Sequence, residues 1–288
     1  MNHLFVLTRS IAAMSAIALA SFANALPITV SYGSNPAAGK TFIHAGNRFY
    51  YEIYGSGEPI LLIHGNGESI SSFREQIGAF ARHHKVIAMD SRGQGKSELG
   101  TDELTYEQMA EDSNAFLDYL KIRHVDVLGW SDGGIIGLLL AIHHADKVGK
   151  LAVMGANLEP DAAYKWAIDG DVRVRARLTA ELVHSDKPKP LQLRLQLLDL
   201  LGNQPHIPLS DLNHMQIPVL VMAGDRDVIR DDHTLSIFHA LPKSQLAIFP
   251  GATHMIPEQD PTRFNSTTLK FFDQPFAMPD TKDLGWFD

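Results

Sequence analysis

Cysteine is absent from all 288 residues, and that absence removes three chemistries at once: a disulfide framework, a thiol nucleophile and a zinc-thiolate site. An excess of positive charge is missing too. With 33 acidic residues against 25 Lys and Arg, and a formal net charge of −8 at pH 7, the chain offers no basic footprint for nucleic acid. Beyond its first 25 residues it also lacks an apolar run long enough to span a membrane. What remains is one chain able to bury a sizeable core, its chemistry left to serine, histidine and carboxylates.

The N-terminus gives a location. Residues 1–9 end in the single arginine Arg9, residues 11–22 are apolar with many small side chains, and Ala23-Asn24-Ala25 has the A-x-A form of a cleavage site. Residues 1–25 therefore read as a secretory signal peptide, which predicts an exported protein, periplasmic or secreted. A membrane anchor is the competing reading, but it needs roughly twenty apolar residues.

Further along, strand-like and helix-like segments alternate. Residues 41–46 and 48–54 read as strands joined by a Gly46-Asn47 turn. Residues 60–63, 85–89, 125–128 and 151–154 read as strands, while 71–83 and 106–120 have helical spacing. This alternation predicts a mostly parallel sheet with helices on both faces. From 158 to 214 it gives way to helical pieces at 162–168, 173–183 and 191–201, punctuated by Lys187-Pro188-Lys189-Pro190. Such an insertion between two sheet strands predicts a helical cap over the site. Residues 26–288 thus form one domain with this insertion, and the tail from residue 274 reads as irregular.

The most informative stretch is Gly129-Trp130-Ser131-Asp132-Gly133-Gly134, set between the apolar runs 125–128 and 135–142. A strand, a sharp turn and a helix are implied, and glycine flanks let the chain bend tightly enough to expose a serine hydroxyl above the strand end. Ser131 is the candidate nucleophile. It needs a base, an orienting acid and oxyanion donors. The strand-like run 218–223 leads into Gly224-Asp225-Arg226-Asp227, and 245–249 is followed by Pro250-Gly251-Ala252-Thr253-His254. Asp227 is the candidate acid, with Asp225 as competitor, and His254 is the candidate base. Residues 59–63 end in His64-Gly65-Asn66-Gly67, so the backbone N–H groups of Asn66 and Asp132 are the expected oxyanion donors. His64 itself is expected to brace its loop.

Five elements taken in order carry a resemblance over residues 42–271: His64-Gly65-Asn66-Gly67, Asp90-Ser91-Arg92-Gly93-Gln94-Gly95-Lys96-Ser97, the serine elbow, Gly224 to Asp227 and Gly251 to His254. Together they resemble the α/β-hydrolase family, whose nucleophile, acid and base occur in the order Ser131, Asp227, His254. Gly129 to Ile135 and Gly155-Ala156-Asn157 are similar to the biphenyl-hydrolase-like branch, which includes a serine enzyme acting on amino-acid esters. The resemblance implies an α/β-hydrolase fold and hydrolysis of small-molecule carboxylic esters through an acyl-enzyme, with water as second substrate and without cofactor or metal. Hydrolysis of lactones or of carbon–carbon bonds uses the same triad. Outside enzymes, a noncatalytic binding protein on this scaffold is the alternative, separable by turnover of short nitrophenyl esters.

Several signals have plainer explanations. Gly95-Lys96-Ser97 ends like a phosphate-binding loop but has Asp90 where that motif needs glycine. The pairs His83-His84 and His143-His144 diverge by about 100° on a helix, so they do not converge on a metal. Trp130 is either packing behind the elbow or a substrate contact. Asp132 has two readings: a helix-start carboxylate stabilised by the dipole, or, as the amino-ester resemblance implies, a receiver for a substrate ammonium.

Overall fold

The computed structural model describes residues 30–100 and 103–285. The leader expected over residues 1–25 lies outside them. In chain order the strands are β1 (Gly39–His44), β2 (Asn47–Tyr54), β3 (Pro59–Ile63), β4 (Lys85–Met89), β5 (Val125–Trp130), β6 (Val148–Met154), β7 (Val219–Arg226) and β8 (Ser244–Thr253). The helices are α1 (Arg74–Phe80), α2 (Tyr106–Tyr119), α3 (Asp132–His143), α4 (Lys165–Leu182), α5 (Pro188–Asn203), α6 (Leu209–Leu212), α7 (Asp231–Ala240), α8 (Ile256–Gln259) and α9 (Pro261–Asp273).

The strands form one eight-stranded sheet in the order β1-β2-β4-β3-β5-β6-β7-β8. Pairings β1–β2 and β2–β4 are antiparallel and all the others parallel. Alternation along each strand divides the core between the two faces. In β3, Leu61 and Ile63 join Tyr106, Phe116 and Leu138 from α2 and α3 on one side. Ile60 and Leu62 join Ile77 of α1 and Phe264 and Phe271 of α9 on the other. Each such side chain contributes roughly 1.5–3 kcal/mol by leaving water.

Two local readings are corrected. The β1–β2 turn consists of Ala45 and Gly46, both at positive φ (48° and 78°), while Asn47 already pairs with His44. A two-residue turn of that handedness matches the strand twist. The helical pieces expected at 162–168 and 173–183 are largely one helix, α4, running through Gly170. A glycine there costs about 1 kcal/mol, which packing can offset. The break expected at Lys187-Pro188-Lys189-Pro190 is present: α4 ends at Leu182, and Pro188 and Pro190 occupy the first turn of α5, where no intrahelical N–H is needed.

Strand order also locates the site. From β3 the chain crosses to β4 on one side, while β5, on the other side of β3, leads on to β6. The crevice beyond the carboxyl ends of β3 and β5 is therefore a switch point, where ligands bind in open α/β sheets. Ile63 pairs with Gly129, so the loop after β3 and the elbow after β5 emerge side by side.

Candidate active site

Ser131 sits at φ 57°, ψ −121°, a conformation that side chains other than glycine rarely adopt. Its N–H donates to the Met154 carbonyl at 2.7 Å, and its own carbonyl accepts from Gly134 N–H at 2.8 Å. The flanking glycines are required by contact: a Cβ on Gly133 would overlap the Ile63 carbonyl, and one on Gly129 would overlap the backbone of Gly133. The elbow thus lets α3 start directly against β3.

Asp227 and His254 are brought together by β7 and β8. Arg226 pairs with Thr253, so the next residue on each strand faces its counterpart. His254 Nδ1 donates to Asp227 Oδ1 at 2.7 Å. The same oxygen accepts from Val228 N–H at 2.7 Å and Ile229 N–H at 3.2 Å. Burial pushes the Asp227 carboxyl up, but the imidazole and the N–H groups of Ile229 and Gly224 outweigh it and hold the group below the ordinary carboxylate value. Asp225, the competitor, is exposed. Room for the ring comes from Gly155, where a Cβ would stand 2.6 Å from His254 Nδ1.

Ser131 and His254 line one cavity of about 470 Å³, together with Asn66, Asp132 and residues of α4 and α5. The segment expected as a cap, between β6 and β7, therefore forms the far wall.

The loop after β3 is pinned from several sides. His64 Nδ1 donates to the Gly65 carbonyl at 2.8 Å and its Nε2 accepts from Ser91 N–H at 2.9 Å, so the imidazole is neutral and braces the loop. Complete burial pushes it down to about 4. Gln94 Oε1 accepts from Gly67 N–H at 2.6 Å, and Asp90 Oδ1 from Ile70 N–H at 2.8 Å. Arg92 forms a buried two-pronged pair with Asp112 at 2.8 and 2.6 Å. The structure thus gives the 90–97 segment a task, holding the loop that carries Asn66.

Asp132 is 2% exposed at the first position of α3. Its Oδ2 accepts from Asn66 Nδ2 at 2.9 Å. Burial raises its carboxyl to about 6, against the lowering effect of the Asn66 amide. Trp130 is 1% exposed, and its Nε1 donates to the His254 carbonyl at 3.0 Å. Its ring packs edge-on to Phe73. Of the adjacent histidines, His84 faces Asp273 and His144 faces Glu111, each at 2.8 Å.

Some site residues carry no sequence signal of their own. Glu68 lines the cavity with Oε2 buried and without a hydrogen-bond partner among the described residues; burial raises its carboxyl. Arg175 of α4 also lines it, paired with Asp199 of α5.

The profile of the family described as having the alpha/beta hydrolase fold matches residues 58–216. The chain belongs to the α/β-hydrolase family. This α/β hydrolase is 27% identical to a putative carbamate hydrolase, RutD, of Caulobacter sp. (strain K31), over 77% of this chain and 94% of that protein. It is 26% identical to the 2-hydroxy-6-oxo-6-(2'-aminophenyl)hexa-2,4-dienoic acid hydrolase of Metapseudomonas resinovorans, over 84% and 93% respectively. The crystal structure of the enol-lactonase of Burkholderia xenovorans LB400 superposes with a TM-score of 0.69 at 21% identity, covering 82% of this hydrolase and all of that chain, a likeness of fold.

Proposed function

We propose that this hydrolase cleaves carboxylic esters of small molecules through an acyl-enzyme. His254 takes the proton of Ser131 as the hydroxyl attacks the carbonyl carbon, and Asp227 fixes the imidazole tautomer and stabilises its cation. The N–H groups of Asn66 and Asp132 receive the oxyanion, each worth roughly 3–4 kcal/mol in the transition state. The proton then passes from His254 to the departing alcohol, and water repeats the sequence on the acyl-enzyme. The observation that carries this reading is the 2.7 Å bond from His254 to Asp227 at the cavity that Ser131 lines.

The engaged state of Asp132 supports the first of its two readings, a structural carboxylate at the helix start, over an ammonium receiver. The testing experiment is covalent labelling by a fluorophosphonate, read by mass spectrometry together with p-nitrophenyl ester turnover. Label on Ser131, and loss of both signals in Ser131→Ala, are expected. Label elsewhere, or turnover that survives in Ser131→Ala, refutes the assignment.

A second reading, hydrolysis of a carbon–carbon bond in a carboxylate-bearing ring-fission product, draws support from Arg175 in the cavity wall and from the dienoic acid hydrolase among the relatives. Preference for such an acid over neutral esters, lost in Arg175→Met, would favour it. For location we infer export with removal of residues 1–25; the N-terminal sequence of the protein recovered from cell fractions tests this.

A further inference from the structure

The side-chain amide of Asn66 is shared between two parts of the molecule. Its Nδ2 donates to Asp132 Oδ2 at 2.9 Å and to the carbonyl of Leu197 at 3.1 Å. Both hydrogens of that nitrogen are thereby committed, one to the residue after the elbow serine and one to the middle of α5. Leu198, the next residue, and Leu201, one turn further along α5, line the catalytic cavity, so the carbonyl that Asn66 grasps belongs to the stretch of helix a substrate touches. The helix packs chiefly on α4 and on the short turn Pro160–Ala162. Between it and the Asn66 loop lies a cleft of about 400 Å³, bounded by Gly67, Leu193, Leu197 and Leu198. Leu197 is itself buried in the core with Leu200, so packing anchors this turn of α5, and the hydrogen bond adds a polar tie from the same turn to the loop beside the cleft.

We propose that Asn66 is a positioning residue that couples the cap to the oxyanion hole: contact of a substrate with α5 is passed through the Leu197 carbonyl and Asn66 Nδ2 to the two N–H groups that receive the oxyanion. The inference rests on the ester-hydrolase reading above. One N–H belongs to Asn66 itself and the other to the residue its amide holds, so displacement of α5 alters the separation of the donors directly. A substrate too small to reach Leu198 and Leu201 leaves the coupling idle, whereas one that fills the cap side engages it. The effect falls on kcat more than on KM, because oxyanion donors act chiefly in the transition state.

The test compares p-nitrophenyl acetate with p-nitrophenyl hexanoate in the wild type, in Asn66→Ala and in the exchanged pair Asn66→Asp with Asp132→Asn. The wild type has the higher kcat on hexanoate. Asn66→Ala lowers that kcat at least about tenfold with KM changed less than about threefold, and brings the two kcat values together. The exchange restores a donor and an acceptor between positions 66 and 132 but leaves the Leu197 carbonyl without its donor. It recovers kcat on acetate relative to Asn66→Ala, and does not recover the hexanoate advantage. Equal losses on both esters in Asn66→Ala, with full recovery in the exchange, overturn the proposal. So does a wild type without a kcat difference between the esters. If Asn66→Ala does not fold, the exchanged pair against wild type carries the comparison. Hydrolysis that survives in Ser131→Ala instead removes the functional reading underneath, a result distinct from loss of the coupling alone.

Discussion

The indole Nε1 of Trp130 donates to the backbone carbonyl of His254 at 3.0 Å, so the residue before the elbow serine holds the chain at the imidazole. Trp130→Phe keeps a ring in the core and leaves that carbonyl without its donor. A loss of about 1–3 kcal/mol is expected in urea denaturation, since a buried acceptor goes unpaired. We expect kcat to fall with little change in KM, because the bond sets where His254 stands. Unchanged stability and turnover would show that the strands position the histidine unaided.

Backbone strain at Ser131 gives a second test. Its φ of 57° and ψ of −121° suit glycine. Ser131→Gly should raise stability by about 1 kcal/mol. Hydrolysis should fall at least about a thousandfold in both Ser131→Gly and Ser131→Ala. Because Ser131→Ala keeps the Cβ, it should not share the gain, so denaturation of the pair separates strain from loss of the hydroxyl.

Gly155 leaves the space the imidazole uses. In Gly155→Ala the new methyl would stand 2.5 Å from His254 Cε1, at a backbone φ of 63°. The ring must move, and a displacement on the order of 1 Å costs about a hundredfold in kcat. The change in backbone preference should cost about 1–2 kcal/mol of stability. Comparison of kcat with the unfolding midpoint checks both effects.

Asp132 makes stability depend on pH. Its carboxyl is raised to about 6, so the native state binds this proton more tightly than the unfolded chain does. Its contribution is fully present below the ordinary carboxylate value and is lost as pH rises through about 6. Asp132→Asn lacks that loss. The stability of the variant relative to wild type should therefore improve between about pH 4 and pH 7, by no more than roughly 3 kcal/mol. Urea titrations across that range measure it, and a flat difference would refute it.

Much of this arrangement is legible in the chain. The strand-glycine-serine pattern at 125–134 specifies the elbow because the clashes that demand glycine are local to β5 and the start of α3. The choice of Asp227 over Asp225 follows from turn chemistry, and β7–β8 pairing then sets Asp227 beside His254. The hairpin reading at 46–47 misses by one residue because both Ala45 and Asn47 can flank such a glycine, and strand twist decides between them. Gly170 suggests a break that packing of α4 on α5 overrides, whereas Pro188 opens α5 as a proline at a helix start does. The roles of Glu68, Gln94 and Arg175 depend on segments distant along the chain meeting around the cavity, and no local spacing encodes that.

The interval between the neighbouring parallel strands β6 and β7 is more than a lid, because Leu158, Leu197, Leu200, Ile207 and Leu212 within it are buried in the core on one face of the sheet. Its exit and re-entry points are spaced by the sheet itself, but any substitute insertion would have to supply those apolar side chains to cover the strands that present serine, aspartate and histidine. It would inherit a polar obligation as well: a backbone oxygen must hang where Leu197 offers one, or the Asn66 amide loses its tie to α5.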